Sequence, residues 1–333
     1  MTDFNGTRGH FVTWGGRPHW TFRDVFTDHA NTNSDDWYML GAGNDKVVAG
    51  SGVDHIYAGT GIDEIWAGAG DDVIMSWNRN GGVLTQGWGE DEVHGGAGND
   101  TIRWDFTTDA VTVYGDDAPF TDASTGIAGS DNITTGSGDD FIDAGGGFKD
   151  IIEAGAGKDI VFGGDGIDII DGGAGNDKLH GDAGNDVITG GLGADQLWGG
   201  SGADTFVVNQ GRGGFGSESG STWEGADVIR DFNASTNSHD VWDKLDLPGQ
   251  ATASNFSVQT MKFDSSTSWE EAFNQAKGIA AIDMAMSFGA HKYVFVTDGE
   301  DGWLFAETGS AHRGIDIAIE LRDVTDLSHL NLV

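Results

Sequence analysis

Through the middle of this chain, large apolar residues recur on a nine-residue beat, with glycine and polar residues filling most of the space between. In GGAGNDKLH (172–180), GDAGNDVIT (181–189), GGLGADQLW (190–198) and GGSGADTFV (199–207) they are Leu179, Ile188, Leu197 and Phe206. Each is the centre of a triplet, x-U-x with U apolar, which predicts a three-residue strand with one inward side chain. The six residues before it have the form G-G-x-G-x-D and predict a turn, because glycine reaches positive φ where other residues resist it. So short a strand has no stability alone. Stacked on its neighbours it buries a continuous apolar ladder, which predicts a solenoid.

The beat extends back through AGAGKDIVF (154–162) and GGDGIDIID (163–171). Earlier it runs through LGAGNDKVV (40–48), AGSGVDHIY (49–57), AGTGIDEIW (58–66), AGAGDDVIM (67–75), QGWGEDEVH (86–94), GGAGNDTIR (95–103), GIAGSDNIT (126–134) and TGSGDDFID (135–143). Weaker copies are NTNSDDWYM (31–39), WNRNGGVLT (77–85), WDFTTDAVT (104–112), which keeps Asp109 and Val111, and GGGFKDIIE (145–153), which follows one extra residue, Ala144. VYGDDAPFTDASTG (113–126) breaks the beat and predicts a loop. The organisation expected is an aromatic N-terminal cap over 1–30, a first block over 31–112, a loop over 113–125, a second block over 126–209, and a C-terminal region over 210–333. In that last region, residues 268–289 have helical spacing behind a serine N-cap. Residues 292–308 predict a hairpin around a Gly/Asp turn, and 314–330 a strand followed by a tail.

Composition gives this pattern a chemical meaning. The chain has 333 residues, of which 56 are glycine and 3 proline, and glycine does not fall at every third position as in collagen. Acidic residues number 54 against 17 basic ones, a formal charge of -37. Nucleic acid is a poor partner for such a chain, and so is an anionic membrane. Cations are the natural partner, and without them the compact state repels itself. There is no cysteine, hence no disulfide. No apolar run is long enough to predict a transmembrane helix. The N-terminus, MTDFNGTRGHFVTWGG, lacks the apolar core of a secretory signal peptide, so export by that route is not expected.

Each turn carries one aspartate beside backbone carbonyls freed by the bend, and stacked turns align these aspartates in columns. Hard oxygen ligands on flexible loops suit Ca²⁺ better than Zn²⁺ or Mg²⁺. No Cys or His recurs at the ligand position, which argues against zinc.

The nonapeptide G-G-x-G-x-D-x-U-x resembles the repeat of RTX proteins. That resemblance implies a mainly β fold, a parallel β-roll with two nonapeptides per turn and several Ca²⁺ ions between turns. The interruptions in the array either split the roll into two blocks or bend a single one, and an α+β C-terminal cap is expected after it. Carried onto this sequence, the metal ligands are Asp45, Asp54, Asp63, Asp72, Asp91, Asp100, Asp131, Asp140, Asp159, Asp168, Asp177, Asp186, Asp195 and Asp204, completed by glycine-loop carbonyls. GADTFVVN (202–209), ADVIRDFN (226–233) and DKLDLPG (243–249) resemble the segment that closes the roll in serralysin-type secreted proteins. The apolar ending NLV resembles their C-terminal signal, which implies recognition by type I secretion machinery and an extracellular, secreted protein.

Serralysins are zinc proteases, but no H-E-x-x-H occurs in this sequence, nor any G-x-S-x-G nucleophile elbow. GRGGFG (211–216) matches a dinucleotide-binding fingerprint only in letters, because no apolar helix follows it. The expected function is non-enzymatic: adhesion, matrix or surface work by a protein that folds on calcium outside the cell. The alternative is a polysaccharide-binding accessory module of a secreted enzyme. Phe162, His180 and Trp198 form an outward stripe that either stacks sugars or is covered by another part of the chain, and covering is the expectation adopted.

Overall fold

The computed structural model describes residues 11–13, 25–27, 35–76, 90–104, 109–116, 128–207, 227–232, 243–246, 256–260, 275–276, 293–297, 302–306 and 317–321. They divide into two compact units, Met1–Ile170 and Asp171–Val333. Each contains a parallel β-roll in which successive nonapeptides alternate between two ladders.

In the first unit one ladder stacks the apolar residues Tyr38, Ile56, Ile74, Ile102, Ile133 and Ile152 in register. The other stacks Val47, Ile65, Val93, Val113, Ile142 and Val161. Apart from Tyr38, at 4% exposure, all of them are fully buried. The N-terminal segment adds a strand to each ladder: Phe11–Thr13 pairs with Trp37–Met39, and Val25–Thr27 with Lys46–Val48. The expected break between two blocks does not separate the ladders. Thr101–Arg103 pairs with Asn132–Thr134, and Thr112–Tyr114 with Phe141–Asp143. The strands on either side of the irregular stretches keep their pairing.

In the second unit Val187–Thr189 pairs with Thr205–Val207, which pairs with Lys244–Asp246. On the other side Lys178–His180 pairs with Gln196–Trp198, and Gln196–Leu197 with Val228–Ile229. Asp227–Ile229 then pairs with Ile319–Leu321. The sheet changes character there. Ile317–Leu321 runs antiparallel to Gly302–Ala306, which runs antiparallel to Tyr293–Thr297, the hairpin expected from the sequence. Phe256–Thr260 completes this sheet. Of the helix expected over 268–289, Gln275 and Ala276 are described, and both are helical. The rest of that segment, the copy at 77–85, the insertion at 210–225, and the tail beyond 321 lie outside the described residues.

The glycines are set by stacking as well as by φ. Gly61 has φ +135°, and a Cβ there would lie 1.6 Å from the carbonyl oxygen of Gly43, one turn below. Any side chain would overlap the previous turn.

Two copies differ from the register expected for them. The extra residue near 145–153 is Phe148, not Ala144. Ala144 is fully buried, as are Ala67 and Ala154 at the first position of their own units, while Phe148 is 82% exposed. Lys149 N–H then resumes the normal stacking by donating to Ser130 Oγ at 3.2 Å. In the copy starting at Trp104 two extra residues lie in the turn. The inward residue is therefore Val113, and Val111 pairs with Asp91. Val113 and Tyr114, expected in a loop, belong to a strand.

Candidate metal sites

All fourteen predicted aspartates are buried, each immediately before its strand except Asp91, which opens its own. The chain brings them together as columns, and backbone hydrogen bonds hold the columns. In one column of the first unit, Asp36 N–H donates to Asp54 Oδ1 at 2.8 Å, Asp54 to Asp72 at 2.7 Å, and Asp72 to Asp100 at 2.7 Å. Asp100 continues to Asp131 at 2.8 Å, Asp131 to Asp150 at 2.7 Å, and Asp150 to Asp168 at 2.8 Å. In the other column Asp45 donates to Asp63 at 2.9 Å, Asp63 to Asp91 at 2.7 Å, and Asp140 to Asp159 at 2.8 Å. In the second unit Asp177 N–H donates to Asp195 and Asp195 to Asp227, while Asp186 donates to Asp204 and Asp204 to Asp243.

One carboxylate oxygen thus belongs to the backbone ladder. Asp72, Asp100, Asp131, Asp150 and Asp204 each bury an Oδ2 that takes no hydrogen bond, and an unpaired buried oxygen of this kind is costly. Backbone carbonyls border the same space. A Cβ on Gly115 would lie 2.4 Å from Asp131 Oδ2 and 2.3 Å from the carbonyl oxygen of Ala144. One on Gly95 would lie 2.5 Å from Asp100 Oδ2 and 2.8 Å from the carbonyl oxygen of Gly115. Carboxylate and carbonyl oxygens converging in this way fit a hard cation, and calcium first among them. Among the described residues no group of three or more His, Cys, Asp or Glu side chains converges on a point. The donor set is instead a carboxylate from a turn with the carbonyls stacked around it.

Electrostatics agree. Burial lifts the carboxyl of Asp100 to about 9, and the neighbouring charges of Asp131, Asp72 and Asp116 push the same way. Burial lifts Asp63 and Asp131 to about 8, and Asp72 and Asp150 to about 7. Asp227 is raised well above the ordinary range by burial and by Asp195. At neutral pH such carboxyls hold protons unless another cation takes the place of the proton.

Four column members were absent from the expected ligand set: Asp36, Asp150, Asp227 and Asp243. Their turns lack the full glycine pattern. The signal that identifies them is the tripeptide Asp-x-U directly at the strand, as in Asp150-Ile151-Ile152 and Asp243-Lys244-Leu245. Asp91 differs from the rest in the other direction, because its Oδ2 accepts the indole N–H of Trp104 at 3.0 Å.

The aromatic stripe is packed against itself. His94 lies between Trp66, at 3.4 Å between ring centroids, and Tyr114, at 4.8 Å, with the planes nearly parallel. In the second unit His180 stacks on Trp198 at 4.2 Å, and the Arg230 guanidinium lies 5.8 Å from the centre of the Trp198 ring. Phe162 packs on Phe141. A sugar stacks on an open ring face. These rings spend faces on neighbours from adjacent turns, while Phe162, His180 and Trp198 stay half-buried.

A family model for the RTX calcium-binding nonapeptide repeat (4 copies) matches residues 32–64, 48–78, 86–103, 125–147, 148–170 and 171–206. No curated protein matches the chain.

Proposed function

We propose that this chain, a member of the RTX calcium-binding nonapeptide-repeat family through residues 32–78, 86–103 and 125–206, is a secreted protein whose β-roll folds on binding Ca²⁺ outside the cell. Its work there is non-enzymatic: adhesion, matrix formation or surface attachment. The observation that carries the calcium-gated part is the set of buried Oδ2 atoms without hydrogen bonds at Asp72, Asp100, Asp131, Asp150 and Asp204, in a chain of formal charge -37. Weak extracellular calcium sites have dissociation constants of roughly 10⁻⁴–10⁻³ M. Free calcium inside a cell is far lower, so the columns stay repulsive there and the chain stays open for export. The C-terminal region 210–333, with its resemblance to type I secreted proteins, supplies the address.

The alternative, a polysaccharide-binding module, needs an open aromatic platform, and the mutual stacking of the rings leaves it without support. Two experiments test the proposal. Limited proteolysis in millimolar Ca²⁺ leaves the array resistant, and excess chelator exposes it throughout. In a host with a type I exporter the full chain reaches the medium, and a chain truncated at residue 209 stays inside. Export of the truncated chain would remove the assigned address, and equal proteolysis with and without Ca²⁺ would remove the switch.

A further inference from the structure

One turn of the first unit breaks the rule that the others follow. At Val111 the register requires an aspartate, because Val111 pairs with Asp91 on one side and its N–H donates to Asp140 Oδ1 at 2.9 Å on the other. Valine has no oxygen to offer. The first position of the same turn, which is glycine or alanine in most units, is Trp104. Trp104 is fully buried, and its indole N–H donates to Asp91 Oδ2 at 3.0 Å. The usual pair, a small first residue with an aspartate sixth residue, has become a large first residue with an apolar one. The carboxylate oxygen that takes no hydrogen bond at Asp72, Asp100, Asp131, Asp150 and Asp204 has a donor here.

We propose that this turn is a calcium-free rung, in which the Trp104 indole occupies the place of an ion at Asp91 and Val111 removes the next ligand. Two consequences follow. This edge of the first unit binds one ion fewer than its count of turns implies, and its column is divided into a row through Asp45 and Asp63 and a row through Asp140 and Asp159. The opposite column, from Asp54 to Asp168, runs past the same level without interruption. Charge does not oppose the assignment. A buried carboxylate that receives an N–H is satisfied without a cation. Burial first, and the Asp109 carboxylate beside it, raise the Asp91 carboxyl to about 6.

The inference rests on the calcium reading of the array, and the experiment separates the two. Bound Ca²⁺ is counted by calorimetry and equilibrium dialysis on the full chain for wild type, Asp91→Asn, Asp72→Asn and Trp104→Phe. Circular dichroism in Ca²⁺ checks that each is folded. Asp91→Asn keeps the wild-type count, since an amide oxygen still accepts the indole N–H, while Asp72→Asn loses at least one ion. Trp104→Phe keeps the count or gains one ion, as the indole no longer occupies the place. A loss of one ion in Asp91→Asn, or in Trp104→Phe, overturns the inference and leaves the calcium reading intact. If wild type itself binds no Ca²⁺, the proposed function fails, and this inference fails with it.

Discussion

Asp100 and Asp131 divide their carboxylates between two tasks. Oδ1 accepts the N–H of the aspartate one turn away, and Oδ2 faces a space bordered by carbonyl oxygens. Asp100 shows the consequence most strongly, with its carboxyl raised to about 9 by burial first and by Asp131 and other acids next. Asp100→Asn removes a ligand but also removes a repelling charge. We therefore expect a crossover: fewer bound ions and a higher calcium midpoint, yet more residual β structure in chelator at pH 7 than wild type. A variant weaker in both conditions would contradict this. The pH dependence follows by linkage. In the folded, metal-free protein burial raises Asp91 to about 6, Asp72 to about 7, Asp63 to about 8 and Asp100 to about 9, against 3.8 for an ordinary carboxyl. The fold therefore binds protons more tightly than the unfolded chain does, and metal-free stability rises as pH falls from about 9 towards about 4 and is lost as pH rises. Calcium competes for the same oxygens. Its apparent affinity should increase from pH 5 to pH 8, with protons released on binding, measurable by calorimetry in buffers of different ionisation enthalpy. An affinity independent of pH would mean that the ion does not displace protons from these carboxyls.

At the scale of the turn and its strand, stacking distance sets what each position tolerates. Gly61→Ala places a methyl against the Gly43 carbonyl oxygen at a φ of +135°, and should cost about 1–3 kcal/mol from backbone strain alone, read as a lower Tm at fixed Ca²⁺. Asp182 holds a φ of +71° in a position that is glycine in most units. Asp182→Gly should stabilise by about 1 kcal/mol, because a left-handed residue other than glycine costs roughly that much. Deleting Phe148 should change Tm little, since the residue is an insertion in a turn. Deleting the buried Ala144 should unfold the surrounding turns by shifting their register. The opposite ranking would restore Ala144 as the inserted residue. These cases also show where sequence pattern reaches its limit. Wherever glycine and aspartate recur together, strand, inward residue and column aspartate could be placed from the sequence, as at Asp177, Asp186 and Asp195. Where the turn loses its glycines, the nine-residue count drifts: Val111 was expected to face inward and instead occupies an aspartate position. Only pairing with neighbouring strands fixes the register there. The Trp104 contact with Asp91 joins residues that no periodic pattern relates.

For the whole molecule, the central fact is that apolar burial is thin while acidity is high. Most nonapeptides bury one large side chain, and the aspartates are taken out of water in the same turns. An ion present at ten times its dissociation constant stabilises its site by about 1.4 kcal/mol. Several such sites reach the 5–15 kcal/mol typical of a domain, so folding and binding should be one transition. Sodium at high concentration screens exposed charge but does not fill an oxygen-lined site, and should restore little structure. The most direct test is far-ultraviolet circular dichroism of the full chain titrated with Ca²⁺ from excess chelator to several millimolar. A cooperative rise of β signal from a largely unstructured baseline, reversed by chelator and not reproduced by sodium, is the predicted result. The same β signal in excess chelator as in millimolar Ca²⁺ would contradict the account.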